Sequence, residues 1–478
     1  MNGIDATINA WLRPLADGLA RVVFFDVPLG DARLPLVVLW LAAGAFYFTI
    51  RFRFVNVRGF AHAVGLVWRG SEHGAPGEVS HFQALSTAIS GTVGIGNIGG
   101  VAVAVSLGGP GAALWMVIAG LLGMSTKFVE CTLGVVYRRE NPDGSVSGGP
   151  MYYLERGLGE RGFARLGRGL GIFYAVGIVI GCLGIGNMFQ SNQAFTQIVG
   201  VTGGEASFFA DKGWLVGVVI ALVVGAVIIG GIRSIARVAA RLVPFMAVLY
   251  LLGAAGVLIL NAEAIPWAFG AMIEGAFTRE GAAGGAVGAL IVGFQRAVFS
   301  NEAGIGSATI AHSAVKTDEP LTEGFVSLLE PFIDTVVICQ ATALVIITTS
   351  YFEPGFTEGM GGIEMTSAAF ERSFSFAPYP LALAATLFAL STMVSWSYYG
   401  LKGWTYLVGE GRRAEKLFQA VFCVFVALGC MLQLEAILDF SDALVFLICV
   451  PNLIGLYVLA PVVEQRLRAY PAGQMKRD

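Results

Sequence analysis

Apolar stretches long enough to cross a bilayer recur along the whole chain, separated by short segments rich in arginine, glycine or acidic residues. A span needs roughly 20 apolar residues, and about eleven are read: 34–51, 82–107, 110–137, 169–200, 214–231, 239–261, 284–310, 323–352, 377–408, 416–433 and 437–463. An amphipathic segment near 6–25 precedes them. The stretch 147–160, from Ser147 to Glu160, is too short to span and reads as a connector at the membrane surface. Two of the spans are interrupted by glycine. One break is Gly91-Thr92-Val93-Gly94-Ile95-Gly96-Asn97-Ile98-Gly99-Gly100, the other Asn301-Glu302-Ala303-Gly304-Ile305-Gly306-Ser307. Both carry Gly-Ile-Gly followed by a small polar residue. Unwound backbone inside a bilayer persists only where protein or a water-filled cavity satisfies its polar groups. A matched pair of broken helices in the two halves of a chain is the sequence pattern of a secondary transporter's binding site.

Composition places the chain among integral membrane proteins. It is 56% hydrophobic and 13% charged, with mean hydropathy +0.72, against roughly 25% charged residues in soluble domains. The fold class is therefore an all-α membrane protein. The net charge of -3 says little about partners, and no basic run points to nucleic acid. The 64 glycines suit close helix packing in lipid. The segment Met1 to Arg33 has scattered charges and is not read as a cleaved signal peptide. Cys131, Cys182, Cys339, Cys423, Cys430 and Cys449 all lie in apolar stretches, without CxxC spacing, and read as buried small hydrophobes. His62, His73, His81 and His312 have no metal-ligand spacing, and no Walker A sequence supports ATP hydrolysis.

Charge also suggests a topology. With the first span running inward, 21 lysines and arginines face the cytoplasm and 6 face outside, while Lys127, Arg296 and Lys402 fall within spans. That asymmetry favours an outside N-terminus and a cytoplasmic C-terminus. The two broken helices then run in opposite directions, five spans apart. This is the layout of a five-plus-five inverted repeat, about 80–262 and 283–463, preceded by one extra N-terminal helix. The whole of 34–463 reads as one transmembrane domain, with a peripheral segment 1–33 and a cytoplasmic tail 464–478.

The breaks suggest the chemistry. Freed N–H groups and the dipole of a half-helix attract an anion such as a carboxylate. Freed carbonyls around Ser90 to Val93 attract a cation, and Thr92 and Asn97 add neutral oxygens. No Asp or Glu lies between His81 and Leu107, and such a neutral oxygen shell suits Na⁺ better than a proton. The second break should line the same cavity, with Ser300 and Asn301 as polar contacts and Phe299 capping an apolar pocket. Glu302 and Arg296 are charges within a span, which are paired or functional; a mutual or interhelical pair is one reading. Asn187, Gln190, Asn192 and Gln193 crowd the fourth span. Asn187 and Gln190 are three apart, hence on one face, and Gln190 is read as a pocket residue. In the ninth span Ser391, Thr392 and Ser395 either bond their own helix or complete a cation shell, and Trp396 walls the pocket. Lys127 and Glu130, three apart, read as a structural pair.

Phe82-Gln83-Ala84-Leu85-Ser86-Thr87-Ala88, Gly94-Ile95-Gly96-Asn97-Ile98-Gly99-Gly100-Val101-Ala102, Gly108-Gly109-Pro110-Gly111-Ala112, Gln295-Arg296 with Phe299 to Gly304, and Trp396-Ser397-Tyr398-Tyr399-Gly400 resemble the alanine or glycine:cation symporter family. The resemblance spans roughly 35–460. It implies a leucine-transporter-type fold and sodium:alanine symport in a bacterial inner membrane, with no cofactor beyond Na⁺ as coupling ion. Gly94-Ile95-Gly96-Asn97 also looks like the broken first helix of that fold. Carried over, the backbone at Ile95 and Gly96, beside Gly94 and Thr92, would hold the substrate carboxylate, and Asn97 would lie beside the ammonium group. The backbone at Ser90 and Val93, with Ser391 and Thr392, would hold Na⁺. Ile95 departs from the threonine that many members carry. The expected substrate is alanine or glycine, moved into the cell by alternating access. Proton coupling through Glu302 and a passive channel remain as rivals, and oligomeric state is left open. No paired carboxylates or catalytic triad suggest an enzyme.

Overall fold

The computed structural model describes residues 2–29, 32–69, 74–278, 285–351, 362–432 and 435–471. It is a helical bundle with two small antiparallel hairpins. Helix α1 (Asn2–Val23) leads through a hairpin (Asp26–Leu29 with Ala32–Pro35) into α2 (Leu36–Arg51), then the short α3 (Val55–Arg58) and α4 (Phe60–Arg69). Next come α5 (His81–Thr92), a 3-10 turn (Ile95–Asn97) and α6 (Gly99–Val136). A second hairpin (Arg139–Glu140 with Val146–Ser147) precedes α7 (Pro150–Glu160), α8 (Ala164–Leu183), a π-helical turn (Gly184–Phe189) and α9 (Gln190–Val201). Helices α10 (Gly213–Ile228), α11 (Gly231–Leu260), α12 (Ile265–Phe277), α13 (Gly285–Asn301) and α14 (Ala308–His312) follow. Then come α15 (Pro320–Val326), α16 (Leu329–Pro331), a π-helical stretch (Phe332–Cys339), α17 (Gln340–Thr349), α18 (Gly362–Glu371), α19 (Pro378–Val408), α20 (Arg412–Met431) and α21 (Glu435–Ala469).

Seven helical stretches among the described residues are long and apolar enough to cross a membrane, and α2 and α10 are shorter apolar helices. Their burial sorts them into layers. The most apolar windows of α19 and of 442–469 are 78% and 72% buried, those of α11 and α20 only 28%. The first two form the core, and the second two present apolar side chains outward, as lipid requires. Local chemistry sets the ends. Ser80 caps α5 reciprocally with Gln83. At Gly109 (φ 64°), followed by Pro110, α6 kinks and divides into two arms. Most of the 147–160 segment is helical: Pro150 starts α7, whose Met151, Tyr152, Tyr153 and Leu154 are buried while Arg156 and Glu160 are exposed.

Both expected breaks are present. The first falls at Val93 and Gly94, where the backbone becomes extended. The second begins later than the sequence suggests. Helix α13 continues through Phe299, Ser300 and Asn301, and the chain leaves it at Glu302 (φ 56°), Gly304 (φ 93°) and Gly306 (φ 87°). The far ends of the two broken helices are fastened together. Val79, before α5, bridges Val315, after α14, and Lys316 N–H donates to the Val79 carbonyl at 2.9 Å. The Arg138 guanidinium donates to the carbonyls of Pro76, Ser313, Val315 and Thr317 at 2.6–3.1 Å, gripping both segments.

Candidate functional site

Several backbone polar groups around the first break find side-chain partners. Gly94 N–H donates to Asn97 Oδ1 at 2.8 Å, and Ile95 N–H reaches Gln190 Oε1 only at 3.4 Å. The Gly91 carbonyl accepts from Trp396 Nε1 at 3.1 Å, and that of Thr87 from Ser395 at 2.9 Å. The carbonyls of Asn97 and Ile98 accept from Thr342 at 2.8 Å and Thr366 at 2.9 Å. Helices α5, α17, α18 and α19 thus all converge on one unwound turn. The side chain of Thr92 turns back onto its own helix, 3.3 Å from the Ala88 and Ile89 carbonyls.

On one flank, α19 faces the end of α5. Ser90 Oγ donates to the Ser391 carbonyl at 2.7 Å. Ser391 Oγ lies 3.5 Å from the Ser90 carbonyl oxygen, and Thr392 Oγ1 lies 3.5 Å from that of Val93. Both hydroxyls sit closer to the Phe388 carbonyl of their own helix, at 2.9 and 3.0 Å. A hydroxyl has a single proton. With it directed at Phe388, the contacts to Ser90 and Val93 bring oxygen lone pairs face to face. Ser90, Val93, Ser391 and Thr392 are all buried.

On the other flank lies a residue that sequence reasoning missed. Asp334, fully buried in the π-helical stretch, accepts from Asn97 Nδ2 at 2.6 Å, Ser300 Oγ at 2.7 Å and Thr335 Oγ1 at 2.7 Å. Ser300 Oγ in turn accepts from Asn97 Nδ2 at 3.1 Å, and Cys339 Sγ stands 3.3 Å from both. Asn301 bonds Thr335 at 2.9 Å. An acid inside an apolar span was the available signal, the same one that singled out Glu302. Phe299 covers this floor, its ring 3.6 Å from where a Cβ on Gly96 would stand. Ile95 is buried. Gly94 has no room for a side chain, since a Cβ would meet Thr392 Oγ1 at 2.6 Å and Gln190 Oε1 at 3.3 Å.

Three expectations need correction. Asn187 and Gln190 do not share a face: the π-helical turn sends Asn187 to the Phe422 carbonyl (2.9 Å), while Gln190 turns to the break. Lys127 pairs with Glu330 at 3.0 Å rather than with Glu130, which accepts from Gly304 N–H and Asn452 Nδ2 at 3.0 and 2.7 Å. Arg296 and Glu302 do not pair with each other, which corrects only the mutual pair; the acids nearest Arg296 belong to other helices. Glu302 accepts from Ser307, and Arg296 lines a cavity of about 170 Å³ with Asp17, Asp439, Asp442 and Phe299. Behind the second break the buried ions form a chain. His81 and His312 share Glu323 at 2.5 and 2.6 Å, and His312 lies 3.6 Å from Glu330.

Two discontinuous helices crossing at a buried polar centre, inside a bundle built to span a membrane, define a secondary transporter and not an enzyme. The chain belongs to the sodium:alanine symporter family, whose sequence pattern it matches over residues 28–478. It is 38% identical to the sodium/alanine symporter AgcS of Methanococcus maripaludis over 91% of this chain and 94% of that one. It is 33% identical to the probable sodium/glutamine symporter GlnT of Bacillus subtilis, over 91% and 87%. Among solved structures it shares its fold with MhsT in complex with L-phenylalanine. The TM-score is 0.54 and the identity 16%, with 79% of this chain and 89% of that one covered. The protein is therefore a multi-pass membrane protein of an amino-acid symporter family.

Proposed function

We propose that this protein couples the inward movement of Na⁺ to uptake of a small neutral amino acid, alanine or glycine, by alternating access. The observation that carries the reading is the opposition of oxygens between α5 and α19. Ser391 and Thr392 hydroxyl oxygens lie 3.5 Å from the Ser90 and Val93 carbonyls, and when their single protons go to the closer Phe388 carbonyl, at 2.9 and 3.0 Å, only lone pairs face the break. A cation placed among them turns that repulsion into coordination, and a site made of neutral oxygens takes a metal cation rather than a proton.

The amino acid binds across the unwound turn. Its carboxylate faces the N–H groups at Gly94, Ile95 and Gly96, displacing the 3.4 Å contact from Ile95 to Gln190. Thr92 lies just before them. Its ammonium faces Asn97, Ser300 and Asn301, with Asp334 behind them supplying negative charge. Phe299 and Trp396 close the apolar sides. The Phe299 ring lies beside Gly96, 3.6 Å from where a Cβ there would stand. AgcS is named for alanine and GlnT for glutamine, so the family alone does not set the substrate.

The spans form one transport domain of five-plus-five inverted repeats, 80–262 and 283–463, with the N-terminus outside and the C-terminus in the cytoplasm. The supports are the opposed directions of the two breaks and the one-sided distribution of basic residues. Proton coupling is the second reading. Its support is Asp334, a buried carboxylate whose side-chain hydrogen-bond donors Asn97, Ser300 and Thr335 are all neutral.

Uptake of radiolabelled alanine, glycine, glutamine and leucine into proteoliposomes in Na⁺, Li⁺ or choline separates the readings. Uptake of alanine or glycine in Na⁺ and its absence in choline is expected. Uptake in choline driven by a pH gradient would replace Na⁺ with the proton. Uptake without counterflow would indicate a channel.

A further inference from the structure

Away from the central site, four arginines converge on a cavity of about 190 Å³ where α2 ends and α21 closes. Arg51, Arg53, Arg58 and Arg468 line it, and Glu464 is the acid among its lining residues. Glu464 is shared, accepting from Arg51 at 2.9 Å and Arg468 at 2.5 Å. Arg53 and Arg58 have no carboxylate partner among the described residues. Arg51 donates from one Nη to Tyr47 and from the other to Glu464, and its buried Nε has no partner among the described residues. The cavity thus holds a surplus of positive charge and an orphaned donor.

The backbone is shaped for this arrangement. Arg53 and Phe54 both take left-handed conformations, φ 52° and 58°. Non-glycine residues adopt these only at a cost of order 1–3 kcal/mol. The turn is held by Arg53 N–H to the Ile50 carbonyl (3.0 Å) and Phe54 N–H to that of Thr49 (2.8 Å). It aims Arg53 into the cavity and leaves Phe54 outside. Phe54, Val57 and Ile50 are all more than half exposed. A cationic hollow fringed by outward apolar side chains, at the end of a membrane helix on the basic-rich side of the chain, matches a lipid: phosphate in the hollow, acyl chains along the fringe. Arginine forks suit the two free oxygens of a phosphodiester.

We propose that this cavity binds the phosphodiester headgroup of an anionic phospholipid, pinned at the seam between α2 and α21. The test is native mass spectrometry of the full-length protein released from phosphatidylcholine nanodiscs containing a minor fraction of phosphatidylglycerol. The wild type is expected to retain phosphatidylglycerol selectively. The Arg53→Gln/Arg58→Gln double variant should retain it about tenfold less or worse, with its thermal melting point unchanged. Arg468→Gln gives a second reading should the double variant not fold. Arg413→Gln, at an exposed position outside the cavity, should leave retention intact. Equal retention by wild type and both cavity variants would overturn the proposal, and so would an equal loss in Arg413→Gln. Displacement of the lipid by glycerol 3-phosphate at equal concentration would assign the cavity to a free phosphate ester and overturn the lipid.

Discussion

Asn97 is joined to Asp334 by a 2.6 Å hydrogen bond from its Nδ2, while its Oδ1 accepts the N–H of Gly94 at 2.8 Å. One amide therefore ties the unwound turn of the first broken helix to the buried acid of the neighbouring span. Because the amide's two ends face a donor and an acceptor, the pairing fixes its orientation as well as its position. Asn97→Ala leaves both Gly94 N–H and Asp334 short of a partner. It is expected to abolish transport while the protein still extracts as a monodisperse species. Near-normal uptake would remove Asn97 from the site.

Asp334→Asn keeps the shape and removes the charge, opposing an amide N–H₂ to the hydroxyls of Ser300 or Thr335. A hydrogen bond to a charged group contributes roughly 1.5–3 kcal/mol, so alanine affinity should fall about tenfold or more. Isothermal titration at saturating Na⁺ measures it. If the loss appears instead as an altered pH dependence with Na⁺ dependence intact, Asp334 is a proton site.

Ser391→Ala and Thr392→Val each delete one oxygen facing the Ser90 and Val93 carbonyls. The Na⁺ concentration for half-maximal uptake is expected to rise about tenfold in each, which corresponds to about 1.4 kcal/mol. Maximal uptake at saturating Na⁺ should change less. Unchanged Na⁺ dependence in both variants would move the cation elsewhere.

Gly94→Ala places a methyl 2.6 Å from Thr392 Oγ1. Overpacking of this kind costs about 1–3 kcal/mol, here at the point where α5 must meet α19. Loss of uptake with a modest fall in melting temperature is expected. A variant that transports normally would show that the turn and α19 have slack between them.

Lys127 and Glu330 are both fully buried. Removing one partner of such a pair destabilises by about 3–5 kcal/mol, because the other charge is left uncompensated. Lys127→Met should therefore unfold at a distinctly lower temperature. Lys127→Met combined with Glu330→Gln should recover much of the loss. No recovery would mean that the lysine serves the nearby acids as a group and not Glu330 in particular.

Much of the scaffold was legible because bilayer chemistry writes directly into sequence. The expected 34–51 and 377–408 meet Leu36–Arg51 and Pro378–Val408 closely. The first break was visible because unwinding needs Gly94, and the second because φ 93° at Gly304 suits glycine. The partners of those breaks were harder to see. Lys127 finds Glu330 across 203 positions, and sequence offered only its neighbour Glu130 at helical spacing. Asp334 lies in an apolar run with no glycine beside it, in a π-helical stretch whose extra residue per turn leaves no mark in the hydrophobic pattern. The same geometry separates Asn187 from Gln190. Chain breaks are local and readable, whereas the side chains that satisfy them are set by tertiary packing.

The most direct test is the affinity of purified protein for alanine in Na⁺ and in choline, together with the affinity for Na⁺ with and without alanine. Two ligands that share one unwound turn must raise each other's affinity by the same factor. An equal gain in both directions, of about tenfold or more, is expected. The same alanine affinity in Na⁺ and in choline would contradict coupling at the break.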